Sequence, residues 1–165
     1  MKPRSRQKHK GRRESGSFTA IPHAVQDSPN WAQCSGTAIK LLDTIARQYN
    51  GRNNGDLCAA LSVLKRYGWT SPDTVTWALR ELRHYGFLLL TRQGGLHGPS
   101  LYALTWHAID ACDGKLTCAQ SGTVAPGTWK EPRERFQRPT KKQNATTPSV
   151  ADRYAIRSSE GKKAA

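Results

Sequence analysis

Two amphipathic helical segments, separated by the four-residue turn Tyr67-Gly68-Trp69-Thr70 and followed by a Gly-rich hairpin pattern, constrain this chain more than any single motif. The second segment carries the clearest start signal. Ser71 is a cap, Pro72 fills the first helical position, and Asp73 complements the helix dipole. Val75, Ala78, Leu79 and Leu82 then fall on one face of a helix over Ser71–Tyr85, which Gly86 ends. Upstream, Ala59–Tyr67 reads as a shorter helix with Ala60, Leu61 and Leu64 inward and Gly68 as its stop.

A longer helix precedes these. It begins near Ser35 or Thr37, and Ala38, Leu41, Leu42, Ile45 and Tyr49 follow at helical spacing up to Asn50-Gly51. Asp56-Leu57-Cys58 suits a short extended piece, and the stretch from Ile21 to Trp31 suits a lead-in arm or short helix. After Gly86, Phe87–Arg92 and Ser100–Trp106 read as two strands joined by Gln93-Gly94-Gly95-Leu96-His97-Gly98-Pro99. The expected fold is α+β, mainly α: three helices and a C-terminal β-hairpin, the order of a winged helix-turn-helix.

Charge is distributed unevenly around that core. The 165 residues hold 26 Lys+Arg against 12 Asp+Glu, a net charge of +14. Residues 1–17 contain seven basic and one acidic residue, 18–110 eight and six, and 111–165 eleven and five. With hydrophobic residues at only 36%, the polar, basic ends cannot offset the entropy of ordering by apolar burial. The sequence therefore predicts a basic disordered arm over 1–17, a domain over 18–116, and a basic disordered tail over 117–165. No apolar run reaches membrane-spanning length, and the basic start lacks a secretory h-region, so a cytoplasmic, nucleoid-associated location without membrane contact is expected. Cys34, Cys58, Cys112 and Cys118 form no metal-ligand spacing and read as reduced small hydrophobes. No nucleotide-binding, hydrolase or paired-carboxylate pattern is present, so neither catalysis nor a cofactor is expected.

On duplex DNA, the helix after the turn enters the major groove with its N-terminal part nearest the bases. The outward residues are then Ser71, Asp73, Thr74, Thr76, Trp77, Arg80 and His84, with arginine the usual bidentate reader of guanine. Trp77 is expected on an exposed face, packed on sugar or thymine methyl groups, or against the arm or a partner subunit. Lys65 and Arg66 suit phosphates, and Arg92, Gln93 and His97 give the hairpin tip (92–98) a wing's chemistry. Lys8, Lys10, Arg12 and Arg13 in the N-terminal arm supply sequence-independent affinity. The plain alternatives are a solvated helix face and a simple flexible turn. Trp129–Pro139, with aromatics among charges, reads either as a partner-docking segment or as a linker.

The segments Tyr49-Asn50-Gly51-x-Asn53-Asn54-Gly55-Asp56-Leu57, Arg66-Tyr67-Gly68-Trp69, Ala78–Leu82, Thr91–Gly95 and Leu101–Trp106 resemble a family of small bacterial winged helix-turn-helix domains found in genomes and mobile elements. Gln93–Pro99 is also similar to the wing of the DNA-binding domain of lambdoid phage O-type replication proteins. The resemblance covers roughly residues 18–116. It implies a winged-helix DNA-binding domain, and the expected role is a double-stranded-DNA-binding transcriptional regulator or replication accessory protein of a phage, plasmid or genomic island, with a homodimer or a replication or transcription protein as partner. A different class also fits: a winged-helix protein-interaction module whose basic arms bind nucleic acid non-specifically.

Overall fold

Serine begins each of the longer helices. In the computed structural model, which describes residues 17–96 and 98–138, Ser35 Oγ accepts from the Ala38 amide at the start of α3 (Gly36–Ala46). Ser71 Oγ does the same for the Thr74 amide at the start of α5 (Pro72–His84). Before α3 lie two single-turn helices, α1 (His23–Gln26) and α2 (Pro29–Gln33), the latter capped by Ser28. Between α3 and α5 come β1 (Leu57–Cys58) and α4 (Leu61–Leu64), which tightens into a 3-10 turn over Lys65–Tyr67. The hairpin is β2 (Leu88–Arg92) and β3 (Leu101–Leu104).

The sheet is antiparallel in the order β1-β3-β2, with Leu57 opposite Tyr102, Leu88 opposite Leu104, and a bulge between Leu90 and Arg92. The described part of the chain is therefore α+β: five α-helices and one small sheet. Apolar burial holds it together. Ala38, Leu41, Leu42 and Ile45 of α3 meet Val75, Ala78 and Leu82 of α5, and Tyr85, Phe87, Leu101, Ala103 and Leu104 complete a core of buried side chains. Each such Leu, Ile or Phe contributes about 1.5–3 kcal/mol relative to exposure. No helix among the described residues is long and apolar enough to cross a membrane.

Three expectations are corrected. The second helix is a single α-turn starting at Leu61, because Ala60 is extended and offers no side-chain cap. Ala60 and Leu61 are then only half-buried, while Ala59 and Leu64 carry the packing. Phe87 lies outside β2: its amide returns to Leu82 O at 3.0 Å across Gly86 (φ +74°), and its ring packs edge-on against Trp31. The return strand likewise stops at Leu104, where Thr105 turns its hydroxyl back to Gly86 O.

The largest correction concerns the domain boundary. Residues beyond 116 do not leave the domain until Glu134. The amides of Thr117 and Cys118 both donate to Thr91 O, Gly127 N donates to Thr105 O, and Thr128 Oγ1 donates to Gly86 O. Fully buried Asn30 directs its amide at the carbonyls of Tyr85, Trp129 and Glu131, and its Oδ1 accepts from Arg133 N. Hydrogen bonds from backbone to backbone and to buried Asn30 tie the segment to the domain, and such bonds leave no trace in composition, which reads the segment as a tail. The Trp129 region thus docks on its own domain. A second unit begins at Arg135, of which residues 135–138 are described and carry neither helix nor strand.

Candidate nucleic-acid interface

The N-terminal half of α5 is the most solvent-presented stretch of helix beside the turn. Asp73, Thr74, Thr76 and Arg80 are exposed, and Ser71 is half-buried by its capping role. Thr76 Oγ1 donates to Pro72 O at 2.9 Å, so its proton is committed within the helix and its oxygen faces outward as an acceptor. The Arg80 guanidinium lies 4.6 Å from the Trp77 ring centre. That cation–π contact fixes the arginine's plane, which bidentate recognition of a base or phosphate requires. Trp77 itself is half-buried rather than fully displayed, which corrects the expectation of an exposed reading side chain.

Two recesses flank this half-helix. On one side a groove of about 380 Å³ runs between Leu61, Pro72, Val75, Thr76 and Leu79 and the loop Gly94–Ser100. On the other, a cleft of about 390 Å³ is lined by Thr37, Lys40, Gly68, Thr70, Ser71 and Thr74. Lys40 is exposed there, its ammonium 5.3 Å from the Trp69 ring, while Trp69 Nε1 donates to Thr44 Oγ1 behind it. Thr37, Lys40 and Thr70 escaped sequence reasoning. The signal that could have found them is the parallel placement of two serine caps, with Lys40 one turn into α3. The two helix starts both meet a carboxylate: α5 carries Asp73 in its own first turn, and the start of α3 is met by Glu81 from α5. The Glu81 carboxylate accepts from Ser35 N at 2.6 Å and Ser35 Oγ at 2.7 Å. The same charge, after burial, pushes the neighbouring Cys34 thiol up to about 12, which leaves it inert at neutral pH.

Lys65 and Arg66 are exposed on the 3-10 turn, Arg66 lying 4.8 Å and Arg47 5.7 Å from the Tyr67 ring. The hairpin loop is built rather than slack. Gly95 N donates to Gly98 O at 2.9 Å, Gly94 N to Ser100 Oγ at 2.9 Å, and a Cβ on Gly94 would stand 2.4 Å from Ser100 N. Arg92 is drawn into this bracing: its Nε and Nη2 donate to Pro99 O at 3.3 and 3.1 Å. A reaching wing arginine is therefore replaced by a structural one, and the tip displays Gln93 and the 94% exposed Leu96.

His84 also departs from the expected surface. Roughly 20 Å along the helix from Ser71 at 1.5 Å per residue, it is half-buried, with a ring nitrogen 2.8 Å from Glu134 O. Its partner there is the returning chain segment. Lys8, Lys10, Arg12, Arg13 and His97 lie outside the described residues. The four cysteines are free thiols, and among the described residues no three His, Cys, Asp or Glu side chains gather as a metal site would require. Comparison with protein-family models, with curated proteins and with solved structures finds no match to this chain.

Proposed function

We propose that this chain is a DNA-binding protein of the winged helix-turn-helix type, with α5 in the major groove, the 93–99 loop as its wing, and the basic ends neutralising phosphates. The observation that carries the reading is one arrangement. A capped helix presents Thr74, Thr76 and an aromatic-braced Arg80 between a cationic turn (Lys65, Arg66) and a hairpin loop, within the order α3, β1, α4, α5, β2, β3 and a β1-β3-β2 sheet. Arg80 is the base reader, Thr74 and Lys40 contact phosphates at the α5 start, and Lys65 and Arg66 contact the flanking backbone. The role we propose is a transcriptional regulator or replication accessory of a phage, plasmid or genomic island.

Specificity must come from the folded part, since residues 17–134 carry eleven Lys and Arg against nine Asp and Glu. Arg80→Ala is expected to weaken binding to a duplex selected from random sequence by about tenfold, the discrimination of one bidentate pair. Arg52→Ala, in the exposed loop after α3, is expected to change it little. Fluorescence anisotropy of the labelled duplex measures both. Equal, small effects of the two substitutions would exclude α5 as the reading element.

A further inference from the structure

We infer that the outer edge of β2 and the C-terminal half of α5 form a docking groove for an extended, acidic segment of a partner protein. The groove has a volume of about 540 Å³ and is lined by Arg80, Arg83, His84, Leu88, Leu89, Leu90 and Cys118. Its floor is an edge strand, because β2 pairs with β3 on one side and no further described strand pairs with it on the other.

The register states which backbone groups face that open side. Thr105 N donates to Phe87 O, which puts residues 87 and 105 in the hydrogen-bonding phase of the ladder, although the Phe87 amide itself returns to Leu82 O. Antiparallel pairs alternate, which makes Leu89–Ala103 the next such pair and turns the N–H and C=O of Leu88 and Leu90 away from β3. A donor and an acceptor recur every second residue along an edge, which is what an added strand reads. The chain already uses the far end of this edge, where Thr117 N and Cys118 N meet Thr91 O. The short segment at 117–118 stops there and leaves Leu88–Leu90 to another occupant.

Charge selects that occupant. Arg83 is exposed over the groove, and neither Arg80 nor Arg83 is ion-paired among the described residues, whose salt bridges are Lys115–Asp56 and Arg133–Glu131. The chain's own ends are unsuitable, since residues 1–16 hold seven basic and one acidic residue and 135–165 hold eight and two. A second copy meeting edge to edge would bring four arginines together. An acidic chain with alternating aliphatic residues satisfies all three features: the backbone ladder, one of the half-exposed leucines Leu89 and Leu90, whose side chains take opposite faces, and two guanidinium groups. The groove shares Arg80 with the proposed reading surface of α5, and Arg83, His84 and the β2 edge belong to it alone.

The test uses the full chain and peptides of about eight residues, a common strand length. One alternates Glu with Val, and a second of equal charge alternates Glu with Gly and so lacks strand propensity. The basic ends attract both, so the signal is their difference. The Glu/Val peptide is expected to bind better, and Arg83→Glu to weaken it about tenfold while the equal charge change Arg52→Glu does not. Bound peptide is also expected to slow iodoacetamide alkylation of Cys118, which lines the groove, whereas an unselected 20-base-pair duplex leaves that rate unchanged.

Equal binding of the two peptides, equal loss in the two variants, or unaltered Cys118 alkylation would overturn the proposal. Protection of Cys118 by the duplex instead of the peptide would assign the groove to DNA, and a doubling of mass lost with Arg83→Glu would assign it to a second copy; each result also refutes it. Arg83→Glu leaves Arg80 in place, so loss of peptide binding in that variant and loss of duplex binding in Arg80→Ala are read separately.

Discussion

Replacing Asn54 by alanine is expected to lower the stability of the fold by about 3–5 kcal/mol, the cost of leaving two or more buried polar groups without partners. Asn54 is fully buried in the loop before β1. Its amide donates toward the carbonyls of Leu104 and Ala108 at 2.9 Å and of His107 at 3.2 Å, and its Oδ1 accepts from Leu104 N at 2.7 Å. β1 pairs only with Tyr102 and Leu101, so it ends before it can reach Leu104. The carboxamide stands in for the missing peptide unit, because it alone among small side chains offers one donor group and one acceptor in that geometry. Aspartate cannot substitute, since an ionised carboxylate lacks the donor. Urea denaturation of the purified protein measures the loss, and thermal unfolding should show a fall of about 4 °C or more per kcal/mol in a domain of this size. A change below about 1 kcal/mol would mean that the loop, not the side chain, holds this edge.

The second large effect comes from ending the chain early. A protein stopped at Leu116 is expected to lose at least about 4 kcal/mol or fail to fold, whereas one stopped at Glu134 retains the fold. The shorter chain removes Trp129, Glu131 and Arg133, which occupy three of the four hydrogen-bonding contacts of buried Asn30. It also removes the Thr128 hydroxyl from Gly86 O and the Gly127 amide from Thr105 O. Gly86 is fitted to this segment: a Cβ there would stand 2.6 Å from Thr128 O. Circular dichroism melts of the two truncated chains decide the matter. Coincident melts would show that residues 117–134 ornament the domain without supporting it.

Why the sequence misled at that boundary is a matter of which forces leave a trace in composition. Ser35, Ser71, Pro72, Gly68 and Gly86 act locally, and each sits where its capping or positive-φ role predicts. The apolar faces of α3 and α5 and the short β1 were legible by the same local arithmetic of period and turn. Asn30 works across about a hundred residues of sequence, and an asparagine in a polar stretch looks alike whether it is buried or solvated. Site chemistry divided similarly. The exposure of Thr74, Thr76 and Arg80 follows from helical period, but the folding of Arg92 onto Pro99 and the capture of His84 by Glu134 O depend on loop paths that no local pattern encodes. Lys40 was missed because its neighbours at the α5 start are thirty residues distant in sequence.

In the proposed function the nearly neutral folded part, and not the basic ends alone, binds DNA. Binding of the 17–134 fragment to a duplex, compared with the full chain from about 50 to 300 mM salt, tests it most directly. The fragment is expected still to bind at low salt, with a shallower salt dependence than the full chain because fewer phosphates are neutralised, and to prefer the same selected sequence. A fragment with no measurable affinity at 50 mM salt, beside a full chain that binds every sequence equally, would contradict it.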